Sequence, residues 1–165
     1  MARHDYAVIA GIWAYPELDS LDAPENDAKA FYDWVVSPAG GAVPKAHVRL
    51  IVSSQFDPPF PSATAARPKM DQVLEAMEAL QDIAEANRKK GKGYSTGRRL
   101  YLYFAGHGFA PTKDQTALLM ANATRIRAGA PYHILGPYCA DWFFSAGFFD
   151  EVVLFMDCCR DNYSF

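Results

Sequence analysis

A histidine set between two glycines, Gly106-His107-Gly108, and an adjacent cysteine pair, Cys158-Cys159, stand about fifty residues apart in this chain. A free thiol with a pKa of about 8.5 is mostly protonated at neutral pH. A cysteine nucleophile therefore needs a base or a cationic neighbour to populate its thiolate, and histidine is the residue type suited to that task. Gly108 lets the backbone approach a substrate closely, and its N–H together with that of Cys159 would hold a developing oxyanion. The chemistry these residue types point to is acyl transfer through a Cys159 thioester, with His107 moving the proton.

Such a pair works only if the fold delivers both groups to one cleft. The apolar run from Tyr6 to Trp13, ending in Pro16, predicts a first strand buried on both faces. The stretch from Tyr6 to Tyr15 behind Arg3 has the apolar character of a signal peptide but lacks a small-residue cleavage site and reads equally well as that first strand. Asp22-Ala-Pro-Glu25 supplies a side-chain cap, an early proline and a capping-box glutamate. Ala28, Phe31, Tyr32 and Val35 follow at helical spacing, predicting a helix that ends near Ser37-Pro38. His47 to Ser53 reads as a second strand, and the proline-rich stretch from Asp57 to Pro61 as a loop. Met70, Val73, Leu74, Met77, Leu80, Ile83 and Ala84 form one apolar stripe, with Pro68 at its start and Lys89-Lys90-Gly91 at its stop.

Arg99 to Phe104 predicts a third strand that runs straight into Ala105-Gly-His-Gly108. Residues 111–137 offer only a short hairpin around Leu118 to Ile126, and Tyr138 to Ala146 reads as helical. Glu151 to Met156 predicts a fourth strand delivering Asp157-Cys-Cys-Arg160. Strands alternating with helices predict an α/β fold with a mostly parallel sheet covered by helices and right-handed crossovers. In open α/β sheets ligands gather outside the carboxyl ends of the strands, and His107 and Cys159 each lie just past one. If the third and fourth strands are neighbours, their axes run about 4.8 Å apart and the two side chains share one gap.

Tyr103-Phe-Ala-Gly-His-Gly108 resembles the histidine motif of caspase-like cysteine peptidases, the family of caspases, metacaspases and orthocaspases. Asp157-Cys-Cys-Arg160 resembles their cysteine motif, at a separation like the roughly 50 residues of caspases. Pro24-Glu-Asn-Asp-Ala28 is similar to the Asn-Asp segment that opens the first helix in metacaspases, so the resemblance spans nearly the whole chain. It implies a caspase-like (caspase-hemoglobinase) fold, with Cys159 as nucleophile and His107 as its partner. It also implies that Asp157 lines the pocket for the residue before the cut bond, joined there by Asp27. Two carboxylates favour arginine or lysine, whereas true caspases carry glutamine in place of Asp157 and cut after aspartate. Arg160-Asp-Asn162 replaces the Ser-Gly of many metacaspases and is closer to bacterial caspase-like proteins.

The resemblance further implies that the sheet is incomplete in this chain. Val152 to Met156 is apolar on consecutive residues, as suits a strand covered on both faces with a neighbour on each side. Residues 1–165 are thus expected to be the large-subunit portion of a catalytic domain, with the remainder of the fold expected after residue 165. A processed fragment, a truncated chain and a sheet completed by a partner chain all fit. The expected partners are a protein or peptide substrate and that small-subunit part. No metal or organic cofactor is required; calcium activation is a dependence of some metacaspases, weakly carried over here.

Bulk properties narrow the field. Half the residues are hydrophobic, which suits one globular domain with its own core. A formal net charge of −3 gives no overall attraction to nucleic acid or to an anionic membrane. No run is long enough to span a bilayer. Three cysteines, two of them adjacent, argue against a disulfide framework and for a reducing cytoplasm. Cys158 points opposite to Cys159 if strand geometry persists, and its default role, like that of Cys139, is as a small apolar residue. A zinc site built from the three cysteines and a histidine lacks Cys-x-x-Cys or His-x-x-x-His spacing. The basic run from Arg88 to Arg99 fails the phosphate-loop pattern and reads as a solvated loop, or as a self-cleavage site if the pocket prefers basic residues. Trp142-Phe-Phe144 is assigned to packing. The alternative to a peptidase is a non-catalytic regulatory or scaffold subunit of the same fold; an acyltransferase on the same dyad is a third reading.

Overall fold

A computed structural model describes residues 4–124 and 132–160. The elements run in the order β1 (Asp5–Gly11), α1 (Pro24–Val36), β2 (Val48–Val52), α2 (Met70–Lys89), β3 (Gly97–Gly106), β4 (Gly108–Thr112), β5 (Gln115–Leu119), β6 (His133–Leu135), α3 (Gly136–Ser145) and β7 (Phe149–Cys158). β1, β2, β3 and β7 form a four-stranded sheet in the order β2-β1-β3-β7, and every pairing in it is parallel. β4, β5 and β6 form a separate antiparallel sheet of three strands. The fold is α/β, a parallel sheet flanked by helices.

Alternation along the central strands divides the core into two layers. Val8, Ala10, Leu100, Leu102 and Phe104 face α2 and α3, packing on Val73, Met77, Leu80 and Phe143. Ala7, Ile9, Tyr101, Tyr103 and Ala105 face α1, packing on Ala28 and Val35. Phe104 is fully buried at the centre of the first layer; truncating a phenylalanine so placed to alanine costs about 3–5 kcal/mol. The predicted stripe of α2 buries Val73, Met77, Leu80 and Ala84, with the helix stopping at Lys89 before Gly91, which takes φ +73°.

The structure corrects several local expectations. α1 starts at Pro24 with Ala23 as its cap residue and no side-chain cap, so Asp22 does not cap the helix. Glu25 does not close a capping box; it pairs with Lys29 at 2.6 Å and accepts the Ser54 N–H at 2.9 Å, tying α1 to the end of β2. The hairpin expected around Leu118 to Ile126 lies earlier, as β4 and β5, because the chain turns at Lys113-Asp114; Ile126 is outside the described residues. β7 pairs with β3 alone, so the neighbour expected on its other side is absent among the described residues, and Phe155 is exposed. Of Trp142-Phe-Phe144 only Phe143 packs inside; a helix turning about 100° per residue cannot bury three consecutive side chains against one layer. Arg98 and Arg99, in the basic run, are tied to Asp5 and Glu151.

Candidate active site

β3 and β7 are adjacent and in parallel register from Gly97↔Phe149 to Gly106↔Cys158. His107 and Cys159 are the next residues after each strand, so both follow strand ends at the same carboxyl edge of the sheet. Gly106 has φ +151° and a Cβ there would fall 2.5 Å from Tyr15 Oη, so only glycine makes this turn. The His107 N–H donates to Tyr15 Oη at 3.1 Å, and that hydroxyl donates to the Leu119 carbonyl at 3.1 Å. The Tyr15 ring packs edge-on against the imidazole, with centroids 4.8 Å apart. His107 Nε2 lies 2.7 Å from the Asp19 carbonyl oxygen. A carbonyl can only accept, so this bond puts the ring proton on Nε2 and leaves Nδ1 as the basic nitrogen.

Gly108 lies directly against the cysteine segment. A Cβ there would fall 2.6 Å from Cys158 Sγ and 2.7 Å from the Cys159 carbonyl oxygen. The Leu119 N–H donates to the His107 carbonyl at 2.8 Å. That makes 107/119 a hydrogen-bonded step of the β4/β5 ladder, and the next pair, Gly108↔Leu118, a non-bonded one whose backbone N–H turns away from β5.

The two cysteines have different surroundings. Cys158, half-buried, directs its thiol at the Ala117 carbonyl at 3.9 Å, and burial pushes its pKa up to about 11, with the charges of Cys159 and Asp157 adding to the rise. Cys159 is exposed. Cys139 is packed between α2 and α3 beside Leu74 and Met77, and burial pushes its thiol up to about 11 as well. Among the described residues, no group of three or more His, Cys, Asp and Glu side chains could hold a metal ion.

A cleft of about 480 Å³ opens beside Cys159, walled by Asp27, Gly106, Met156, Asp157 and Cys158. Both aspartates singled out in the sequence therefore meet in one cavity with the exposed cysteine, while His107 lies one residue beyond the Gly106 wall. Asp27 is exposed in the first turn of α1, and Asp157 is exposed near the end of β7. Asp157 Oδ2 accepts a hydrogen bond from Tyr103 Oη at 2.7 Å. Burial raises the Tyr103 hydroxyl pKa, and the bond to Asp157 with the charges of Asp157 and Asp27 raises it further, so the phenol stays protonated and donates.

Three participants escape the sequence reading. Asp19 contributes a backbone carbonyl, for which side-chain type carries no signal. Tyr15 lies in an irregular loop after β1 and reaches His107 only through the tertiary fold. Tyr103 shares strand parity with Ala105, which the sequence does show, but that Ala105 is the register partner of Asp157 is decided only by the pairing of β3 with β7.

No family model matches the chain. Over 105 residues, 63% of its length, it is 31% identical to a probable protease from a Desulfuromonadales bacterium, and it spans 12% of the length of that protein. No described helix is long and apolar enough to cross a membrane.

Proposed function

We propose that this chain carries the histidine and cysteine of a caspase-like cysteine endopeptidase that cuts after arginine or lysine. The observation that supports it best is the register of β3 on β7, which ends the strands preceding His107 and Cys159 at one edge of the sheet, with Cys159, Asp27 and Asp157 lining one cleft there. The similarity to a bacterial probable protease supports proteolysis in general, without bearing on the dyad or the specificity.

In this reading His107 takes the Cys159 proton through Nδ1, and the thiolate adds to the scissile carbonyl carbon. The N–H groups of Gly108 and Cys159 hold the resulting oxyanion. His107 returns the proton to the departing amine, leaving a thioester on Cys159. Water, activated by the same imidazole, then releases the carboxylic acid and restores the thiol. The Asp19 carbonyl keeps the imidazole oriented and accepts from the cation as it forms. Asp27 and Asp157 bind the guanidinium or ammonium of the substrate.

Residues 1–165 would then be the large-subunit portion, and a further part of the same fold, or a partner chain, would pair with the edge of β7 that has no strand neighbour among the described residues. An unpaired edge with half-exposed apolar side chains is a liability that proteins ordinarily cover. The same edge favours the second reading, a non-catalytic subunit that docks on an active partner. Fluorogenic peptides ending in Arg, Lys or Asp, offered to the full-length protein that contains this chain, separate the two. The expected result is cleavage after Arg and Lys that disappears with Cys159→Ala and survives Cys158→Ala; cleavage that survives Cys159→Ala would overturn the mechanism.

A further inference from the structure

Tyr103 and Asp157 sit on neighbouring strands but are not register partners: Tyr103 faces Phe155, and Asp157 faces Ala105. They are diagonal neighbours on one sheet face, a spacing of about 7–8 Å that only a long side chain closes. Tyr103 closes it with a 2.7 Å hydrogen bond to Oδ2. Its ring is only 8% exposed and stacks on Phe31, with centroids 4.6 Å apart and planes 17° from parallel. Phe31 belongs to α1, the helix that also presents Asp27. One clamped aromatic ring therefore fixes one carboxylate of the cleft and packs on the element that carries the other.

We infer that Tyr103 is a positioning residue for basic-substrate recognition, holding the Asp157 carboxylate so that its remaining oxygen faces the cleft together with Asp27. This rests on the peptidase reading for the identity of the substrate, but not for the recognition of a cation. With Oδ2 already accepting from Tyr103, Oδ1 is the less encumbered acceptor that Asp157 turns to the ligand. The planar guanidinium of arginine then finds its second acceptor on Asp27, and fixed geometry matters more to it than to the point charge of lysine.

The test uses the full-length protein and the variants Tyr103→Phe, Asp157→Ala and their combination, with two readouts. Tyr103→Phe keeps the stacked ring and removes only the donor, so its melting temperature checks that the fold is retained. In peptide cleavage, Tyr103→Phe should raise KM for arginine substrates roughly tenfold, the size of one hydrogen bond to a charged group, with kcat unchanged and a smaller rise for lysine. The double variant should be no worse than Asp157→Ala alone, because a group acting through Asp157 has nothing left to act on.

The second readout is agmatine binding, by calorimetry, to the Cys159→Ala background, where no turnover occurs. Agmatine should bind, bind more weakly in Tyr103→Phe, and not bind measurably in Asp157→Ala. Asp157→Asn, which keeps an acceptor for Tyr103 while removing the charge, should lose agmatine without losing stability. Cys159-dependent cleavage with KM and agmatine affinity indifferent to Tyr103→Phe overturns the positioning role and leaves the peptidase standing. Agmatine binding that depends on both Tyr103 and Asp157, in a protein that cleaves no peptide, overturns the peptidase and leaves the positioning role standing. Losses that add in the double variant assign Tyr103 a role independent of Asp157 and overturn the inference.

Discussion

Gly108 and Cys159 are in backbone contact: a methyl group on Gly108 would sit 2.7 Å from the Cys159 carbonyl oxygen, with Cys158 Sγ at 2.6 Å and the Ala117 carbonyl oxygen at 2.8 Å. Two of those three obstacles are main-chain atoms, which cannot rotate aside. Gly108→Ala must therefore push the histidine loop away from the cysteine segment. We expect a destabilisation of about 1–3 kcal/mol, typical of forced overpacking, and loss of nearly all peptidase activity. Chemical denaturation and peptide turnover on the same variant check both; an active, fully stable Gly108→Ala protein would contradict the close approach.

Thiol reactivity should separate the cysteines. Cys159 is exposed, whereas burial raises Cys158 and Cys139 to about 11. A raised pKa favours the neutral thiol, so at pH 8 only about one molecule in a thousand would carry either buried thiolate. Iodoacetamide at that pH should modify Cys159 first, and Cys139 and Cys158 only after unfolding. Peptide mass mapping of a timed reaction reads the order directly.

Glu25 links helix start to strand end and should make stability depend on acid. Burial alone would raise its carboxyl pKa, but the Lys29 ammonium and the Ser54 N–H outweigh burial, and the net shift is downward from 4.5. A depressed folded-state pKa contributes stability above the unfolded value and loses it as pH falls through the folded one. Lys29 is half exposed, so solvent screens its share. Glu25→Gln should lower the melting temperature by several degrees at about pH 6, with the difference from wild type vanishing at about pH 3. A gap that stays constant with pH would mean the carboxylate charge is irrelevant there.

Tyr15 joins the His107 backbone to the Leu119 carbonyl through one hydroxyl. Tyr15→Phe keeps the ring against the imidazole and leaves the His107 N–H without this acceptor, a loss of about 1 kcal/mol for a half-buried group. The expected consequence is a lower kcat with KM little changed, since the imidazole shifts while the Asp27/Asp157 cleft does not. Steady-state kinetics with an arginine substrate would show this split; an unchanged kcat would remove Tyr15 from the positioning of His107.

The periodicity of the chain determined the architecture because burial follows residue pattern. Apolar runs at Tyr6–Trp13 and Arg99–Phe104 could only be satisfied between two layers, and the stripe from Met70 to Ala84 supplied one of them. The residue types at Gly106-His107-Gly108 and Cys158-Cys159 marked strand ends with chemistry on them, since glycine and an ionisable side chain are poor choices for a strand interior. Asp27 and Asp157 were singled out only through the resemblance to metacaspases, since a carboxylate in the first turn of a helix or at a strand end carries no functional signal of its own.

Neighbourhood was not legible. That β7 pairs with β3, that Cys158 at its end is the register partner of Gly106, and that its other edge has no strand neighbour among the described residues are facts about strands distant in sequence, fixed by packing of the whole sheet. The cap of α1 and the place of the hairpin were not legible because local propensity is weak against tertiary contacts: Glu25 accepts the Ser54 N–H from beyond β2, where a capping box would have turned it back on the start of α1. The Asp19 carbonyl beside His107 belongs to the main chain, which every residue carries alike. Its role exists only because the loop after β1 is folded over the imidazole, and that is decided by tertiary contact alone.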